Sequence, residues 1–176
     1  MKANGKRWKL IVTMVAMVFL GLTMLVAGIG KLLGQAIPGE TEFVDILMGS
    51  FWGPTMSWLI ATLLSPAEII LGVAILLRIF PRIAAACSLP LVLGFIANNV
   101  WALMQGMDKF PQCGYCFGFF EKIFGAVSPL QSLIIDIALL IAALLVLILY
   151  PKSFLTFDPW FLFGRRVGKS NEKISS

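Results

Sequence analysis

Apolar residues are gathered into four long runs, which are separated by segments rich in glycine, proline and charge. The runs cover about residues 10–33, 56–77, 83–104 and 129–150. Each run approaches or exceeds the roughly 20 residues that a helix needs to cross the hydrocarbon core of a bilayer. The pattern predicts an all-α protein, a polytopic membrane four-helix bundle with short interfacial helices.

The second run contains a possible helix start. Ser65, Pro66 and Glu68 have the spacing of a capping box, with serine at the N-cap, proline at the first helical position and glutamate at the third. We therefore favour a helix that begins at this point, with residues 56–64 forming a separate helix near the interface. The alternative is one helix that runs through the segment and kinks at Pro66.

Charged residues alternate along the chain in step with four crossings. The amino-terminal tail, residues 78–82 and the tail after Tyr150 are basic, whereas residues 34–55 carry only acidic charges and residues 105–128 are balanced. The positive-inside rule then predicts an inner (plasma) membrane protein with both termini in the cytoplasm. The loops after the first and third spans would lie outside.

The domain division follows from the same pattern. The basic start resembles a signal peptide, but the first apolar run is longer than the roughly 7–15 residues of such a peptide, so we expect a retained helix. Residues 1–150 are predicted to form the transmembrane domain. Residues 151–176 are aromatic and basic at first and polar at the end, which predicts a cytoplasmic tail that is interfacial and then disordered.

Composition supports a membrane location and removes several kinds of function. Charged residues make up 13% of the chain, whereas a soluble domain carries about 25%. The net charge of +5 is confined to the tails and one loop, which favours a lipid bilayer as partner rather than nucleic acid. The chain has no histidine, so we expect no histidine-ligated metal or haem.

Cys113 and Cys116 form a Cys-x-x-Cys pair in the third loop, which the charge pattern places outside. Such a pair closes a small disulfide ring, and a thiolate is stabilised at a helix start. Cys113 would be the attacking thiol and Cys116 the resolving one. A structural disulfide and half of a zinc site are the alternatives. Cys87 lies near the start of the third span, roughly 25 Å from the pair at 1.5 Å per residue, so it cannot supply a further ligand, and we expect it to be a packed small residue.

Five polar residues fall in the outer half of the predicted spans, the half nearest the cysteine pair. Ionisable groups are costly in lipid, so each of the five is a candidate for function. One interpretation is a hydrogen-bond network between helices, with the lysine reaching the headgroups. The other is a polar pocket beneath the cysteines that binds a quinone or a substrate thiol, or moves protons. The five are Lys31, Glu68, Asn98, Asn99 and Asp136, and the first two are placed to pair.

Four segments, taken in order, resemble a known family. Residues 28–32 and 66–72 are similar to the G-x-x-K-L and P-x-x-E segments of the DoxX superfamily, and residues 136–140 to the start of its last helix. Residues 113–118 resemble the C-x-C-F-G segment of its methylamine-utilisation branch, the MauE-like proteins. This chain has an extra tyrosine between the cysteines, and its tail after Tyr150 has no counterpart.

The resemblance implies a fold and a chemistry. The superfamily implies a four-helix membrane bundle, and one of its members is a membrane subunit of thiosulfate:quinone oxidoreductase. The MauE-like branch implies assistance to disulfide formation or to maturation of exported redox enzymes, together with a thioredoxin-like partner. These relatives point to redox chemistry without fixing the substrate or establishing a cofactor, although quinone is a candidate.

Two functions from different classes remain open. The first is a membrane thiol-disulfide redox protein, in which Cys113 and Cys116 exchange electrons with a thioredoxin-like protein, a membrane redox complex or quinone. The second is a non-catalytic accessory subunit of a respiratory or photosynthetic complex, with the cysteines as a structural disulfide. For that role, the first span offers a close-packing face of small residues, made of Gly21, Gly28, Gly30 and Gly34.

Overall fold

The computed structural model describes residues 2–35, 53–106, 108 and 128–150, and its regular structure in these ranges is helical throughout. The all-α prediction is confirmed, whereas the tail after Tyr150 lies outside the described residues. The four helices are α1 (Lys2–Gln35), α2 (Gly53–Leu76), α3 (Pro81–Met104) and α4 (Pro129–Leu149).

Three of these helices contain stretches long and apolar enough to cross a membrane. The stretches are Trp8–Leu32, Pro81–Met104 and Pro129–Leu149, and α2 contributes a shorter apolar stretch, Thr62–Leu76. Many large aliphatic side chains on the helices, such as Ile148, point outward. Outward aliphatic surface of this extent is suited to lipid acyl chains, and the chain is a membrane protein.

Helix α2 is continuous across the predicted break. It runs from Gly53 to Leu76 with Pro66 inside it, so our expectation of a new helix at Ser65 is wrong. The Ser65 side chain is fully buried and its Oγ has no hydrogen-bond partner among the described residues, so it caps no helix end. A new helix end would leave several backbone groups unpaired in lipid, whereas an internal proline removes only one backbone donor.

The helices pack in a ring that follows the order of the chain. Helix α1 packs against α2 and α4, and α3 packs against the same two helices; the α1–α2 and α3–α4 interfaces are the most extensive. Each helix sends one large aliphatic side chain into the centre, where it is completely buried. These four side chains are Leu20, Ile75, Val92 and Val146.

Glycines allow α1 and α2 to touch along their backbones. A Cβ atom on Gly72 would lie 2.8 Å from the carbonyl oxygen of Gly21, and one on Gly28 would lie 2.9 Å from the carbonyl oxygen of Ser65. Residue numbers rise along α1 from Gly21 to Gly28, whereas those of their partners on α2 fall from Gly72 to Ser65. Helices α1 and α2 are therefore antiparallel. The small-residue face predicted for α1 is therefore used at Gly21 and Gly28 to pack against α2 within the chain.

The connection from α2 to α3 is short and sharply turned. Arg78 and Phe80 adopt left-handed backbone conformations, with φ of 59° and 46°, and Pro81 opens α3. Helix α4 starts with a capping box, in which Ser128 and Gln131 each bond the other's backbone. The α2–α3 connection lies at one end of the bundle, and the α4 cap lies at the other.

Candidate functional site

Lys31 and Glu68 form a buried ion pair between α1 and α2. The Lys31 Nζ atom lies 2.5 Å from Glu68 Oε1, and the two side chains are only 5% and 1% exposed. Lys31 therefore points into the bundle. Gly28, one turn earlier on α1, makes the pair possible, because a Cβ atom there would lie 3.0 Å from the Glu68 Cβ.

Phe95 brings α3 into contact with this ion pair. The Lys31 Nζ atom lies 4.5 Å from the centre of the Phe95 ring, within the range of a cation–π interaction. Sequence analysis did not find Phe95. The available signal was its position four residues before Asn99, which places both side chains on the same face of α3.

Asn99 joins α3 to α4. Its Nδ2 atom donates to Asp136 Oδ2 at 2.6 Å and to Ser132 Oγ at 2.9 Å. All three side chains are buried. Ser132 was also missed by sequence analysis, although it lies four residues before Asp136 and so shares its face of α4.

These contacts belong to one group, which we call the polar cluster. Asp136 lies within electrostatic reach of both Lys31 and Glu68, and Phe95 and Asn99 link the two halves through α3. All four helices thus contribute to the cluster, which combines one lysine with two carboxyl groups. Its members are Lys31, Glu68, Phe95, Asn99, Ser132 and Asp136.

Several buried oxygen atoms in and beside the cluster have no hydrogen-bond partner among the described residues. They include Glu68 Oε2, Asn99 Oδ1 and the Oγ atom of Ser65. Asn98, which was predicted to belong to the pocket, is half-buried, and its Oδ1 is likewise unpartnered. Within the described ranges no hydrogen bond joins Asn98 to the cluster.

The polar cluster lies at one end of the bundle. Lys31 is four residues from the end of α1, Asn99 is five residues from the end of α3, and Ser132 is three residues from the start of α4. The opposite end carries Arg78, whose Nη2 atom contacts the Met14 sulfur. Met14 and Lys31 are about 25 Å apart along α1, at 1.5 Å per residue.

The predicted cysteine pair lies outside the described residues. Cys113 and Cys116 belong to the connection between Met104, at the end of α3, and Pro129, at the start of α4. Both of these helix ends are beside the polar cluster. The chain segment that carries the pair therefore leaves and re-enters the bundle at the cluster's end.

Cys87 lies on the outside of α3. It is exposed and carries a free thiol, so our expectation that it would be packed is wrong. The inward positions of that turn are occupied by other small residues, Ala84, Ala85 and Ser88, which leaves Cys87 on the outward face. At an outward position the thiol is accessible to reagents in the membrane.

The Arg78 end of the bundle contains a cavity that sequence analysis did not predict. Its volume is about 300 Å³, and Arg78 is the only charged residue among the described residues of its wall. The remaining wall is apolar, unlike the polar cluster. The cavity is lined by Met14, Met17, Val18, Ile75, Leu76 and Arg78.

Comparison with known proteins identifies a family. The profile of the family described as methylamine utilisation protein MauE matches residues 9–149, which include α1 from Lys9 onward, the whole of α2, α3 and α4, the polar cluster and the cysteine pair. No curated protein and no solved structure matches the chain. The matched residues are well over half of the 176 in the sequence, and the chain therefore belongs to the MauE family of membrane proteins.

Proposed function

We propose that this protein is a membrane thiol-disulfide redox protein whose Cys113 and Cys116 cycle between dithiol and disulfide outside the cytoplasm. One observation carries the proposal. The connection that bears the cysteines begins and ends beside a buried cluster that combines Lys31 with the carboxyl groups of Glu68 and Asp136. Charged groups buried in a membrane bundle are costly and accordingly mark functional sites.

Chain length keeps the cysteines near this end. Cys113 is nine residues after Met104, and an extended chain spans at most about 3.5 Å per residue. The thiol is thereby tethered within about 30 Å of the end of α3. This tether suits a redox pair that exchanges electrons at the membrane surface, above the polar cluster.

The oxidation of the pair must deliver two electrons and two protons. A partner disulfide accepts both when it becomes a dithiol, and a quinone accepts both when it becomes a quinol. The unpartnered atoms of the cluster, Glu68 Oε2 and Asn99 Oδ1, are acceptors. They suit the O–H groups of a quinol or the S–H group of a partner thiol, rather than the carbonyl oxygens of a quinone.

Family membership supports this assignment. The family is described by its part in methylamine utilisation, and we propose that this protein assists the oxidation or maturation of exported redox proteins in such a process, with a thioredoxin-like partner. The similarity to the wider DoxX superfamily adds quinone as the alternative electron acceptor. We place the protein in the inner membrane with both termini in the cytoplasm, residues 1–150 as the transmembrane domain and residues 151–176 as the tail.

The reduction potential of the cysteine pair tests the proposal. It is measured in membranes by thiol trapping against a graded redox buffer, in a Cys87→Ser background because Cys87 is exposed. A value above about −250 mV is expected, because exchange proteins lie in that range. A value below about −300 mV would indicate a structural disulfide and would favour the accessory subunit of a larger complex.

Membrane orientation is tested with a thiol reagent that does not cross the membrane. After reduction of intact cells, Cys113 should react, whereas a cysteine introduced by Lys173→Cys into a variant without the three native cysteines should react only after permeabilisation. The comparison uses the same reagent on the two predicted sides. The reverse result would place the cysteine pair in the cytoplasm and remove the proposed exchange with exported proteins.

A further inference from the structure

The ionisable groups of the polar cluster do not balance in charge. Helix α1 contributes Lys31, α2 contributes Glu68 and α4 contributes Asp136, and each is at least 95% buried. Helix α3 contributes only the neutral side chains of Phe95 and Asn99. Among the described residues of the cluster, full ionisation would leave one negative charge without a counter-charge, a state that costs several kcal/mol or more inside a membrane bundle.

We propose that the polar cluster is a binding site for one proton, and that the proton resides on Asp136. Lys31 is paired directly with Glu68 at 2.5 Å, so these two groups neutralise each other in their ionised forms. Asp136 receives a hydrogen bond at Oδ2 from the Asn99 amide, which is neutral. With a proton on Asp136, the charges of the described cluster sum to zero.

Independent support comes from the hydrogen-bonding capacity of the cluster. Glu68 Oε2 and Asn99 Oδ1 are buried acceptors with no partner among the described residues. An unpaired acceptor in a dry interior is unfavourable, and a mobile proton or hydroxyl group would relieve it. The cluster therefore combines one excess negative charge with acceptor atoms that can receive an O–H donor.

The inference does not depend on the redox activity of Cys113 and Cys116. A proton site would serve the proposed chemistry, because oxidation of a dithiol releases protons and reduction of a quinone consumes them. The charge count of the bundle nevertheless stands without either reaction. A Cys113→Ser/Cys116→Ser variant should accordingly keep the bound proton, so that failure of one proposal can be told from failure of the other.

Infrared spectroscopy of the full chain in lipid nanodiscs at neutral pH tests the inference, because a protonated carboxyl group has its own carbonyl band. The unmodified chain should show one such band. Asp136→Asn should remove it, and Glu68→Gln should also remove it, because Asp136 is then the one carboxyl group left in the described cluster to pair with Lys31. Lys31→Met should roughly double the band, because both carboxyl groups would then need a proton.

The controls separate this site from ordinary carboxyl groups and from metal ions. Asp108 is exposed, so Asp108→Asn should leave the band unchanged. Persistence of the band in Asp136→Asn, or its absence from the unmodified chain, would overturn the assignment. Loss of the band on addition of sodium at constant pH would also overturn the assignment as a proton site, since a sodium ion would then replace the proton at the carboxyl group. If Lys31→Met does not fold, the two carboxyl variants still decide the matter.

Discussion

The two most extensive helix interfaces, α1–α2 and α3–α4, are stabilised by different interactions. Helices α1 and α2 approach until their backbones touch at Gly21 and Gly72, and they share a buried ion pair. Helices α3 and α4 are linked by the neutral Asn99 amide, which bonds a carboxyl and a hydroxyl group. Gly94 on α3 has no atom within 4 Å of its potential Cβ, so glycine at this position makes no comparable close contact.

The difference shows how a charge pair can be kept inside a lipid-embedded bundle. Lipid provides no hydrophobic force between helices, so association depends on close packing and polar contacts. Because α1 and α2 lie close together at Gly28, the Lys31 side chain reaches Glu68 directly.

Removal of the lysine should produce the largest loss. Lys31→Met leaves the Glu68 carboxyl group buried without its counter-charge, and breaking a buried pair in this way costs about 3–5 kcal/mol. We expect a loss of that size in the free energy of unfolding, measured by circular dichroism during titration of micelles with a denaturing detergent. Simultaneous Glu68→Gln should recover part of the loss, because one buried carboxylate is then gone.

Lys9→Met provides a matched control on the same helix. Lys9 is exposed, so the same substitution there should change the unfolding free energy by no more than about 0.5 kcal/mol. Equal losses in the two variants would show that lysine stabilises α1 in general. In that case the ion pair would not be what holds α1 to α2.

The glycine contact should give the next largest effect. Gly72→Ala places a Cβ atom 2.8 Å from the Gly21 carbonyl oxygen and 2.8 Å from the Leu25 nitrogen, both of which are backbone atoms that cannot rotate away. Overpacking of this kind costs about 1–3 kcal/mol, and the detergent titration should show a loss in that range.

Gly94→Ala is the control for helix propensity. The space around Gly94 is open, so alanine there should be neutral or stabilise the helix by up to about 1 kcal/mol. The two glycine variants are thus expected to differ in sign. A similar change at both positions would mean that backbone contact does not distinguish the α1–α2 interface.

The sequence predicts the helices and the ionisable members of the cluster because both depend on strong local signals. Long apolar runs specify membrane helices, and a charge within such a run stands out. Lys31, Glu68 and Asp136 were found in this way, and Asn99 by its polarity. Sequence position also placed Lys31 and Glu68 to pair, whereas the bond from Asn99 to Asp136 is seen only in the structure.

The failures have a different physical origin. Phe95 and Ser132 carry no charge, so they are noticed only when the three-dimensional partner is known. Ser65 has the pattern of a helix cap, but the membrane penalises a helix end more than an internal proline, and tertiary context overrides the local signal. Cys87 shows the same limit, since an apolar run does not reveal which face of the helix meets its neighbours.

The smallest effect is expected at the α3–α4 interface. Asn99→Leu removes the donor that serves Ser132 and Asp136, and a hydrogen bond within a membrane bundle contributes about 1 kcal/mol. Asn98→Leu makes the same change one residue earlier, where the buried Oδ1 has no partner among the described residues. That variant should be neutral or slightly stabilising, because it removes an unpaired acceptor.

Opposite signs for these adjacent asparagines, in the same detergent titration, would show that the α3–α4 link depends on the specific contacts of Asn99. Ser132→Ala adds a finer control, since it keeps the bond from Asn99 to Asp136 and should cost less than Asn99→Leu. If both asparagine variants lose the same amount, polarity in the outer half of α3 would matter rather than the link to Asp136. In that case the bond from Asn99 to Asp136 would not stabilise the α3–α4 interface as the ion pair stabilises the α1–α2 interface.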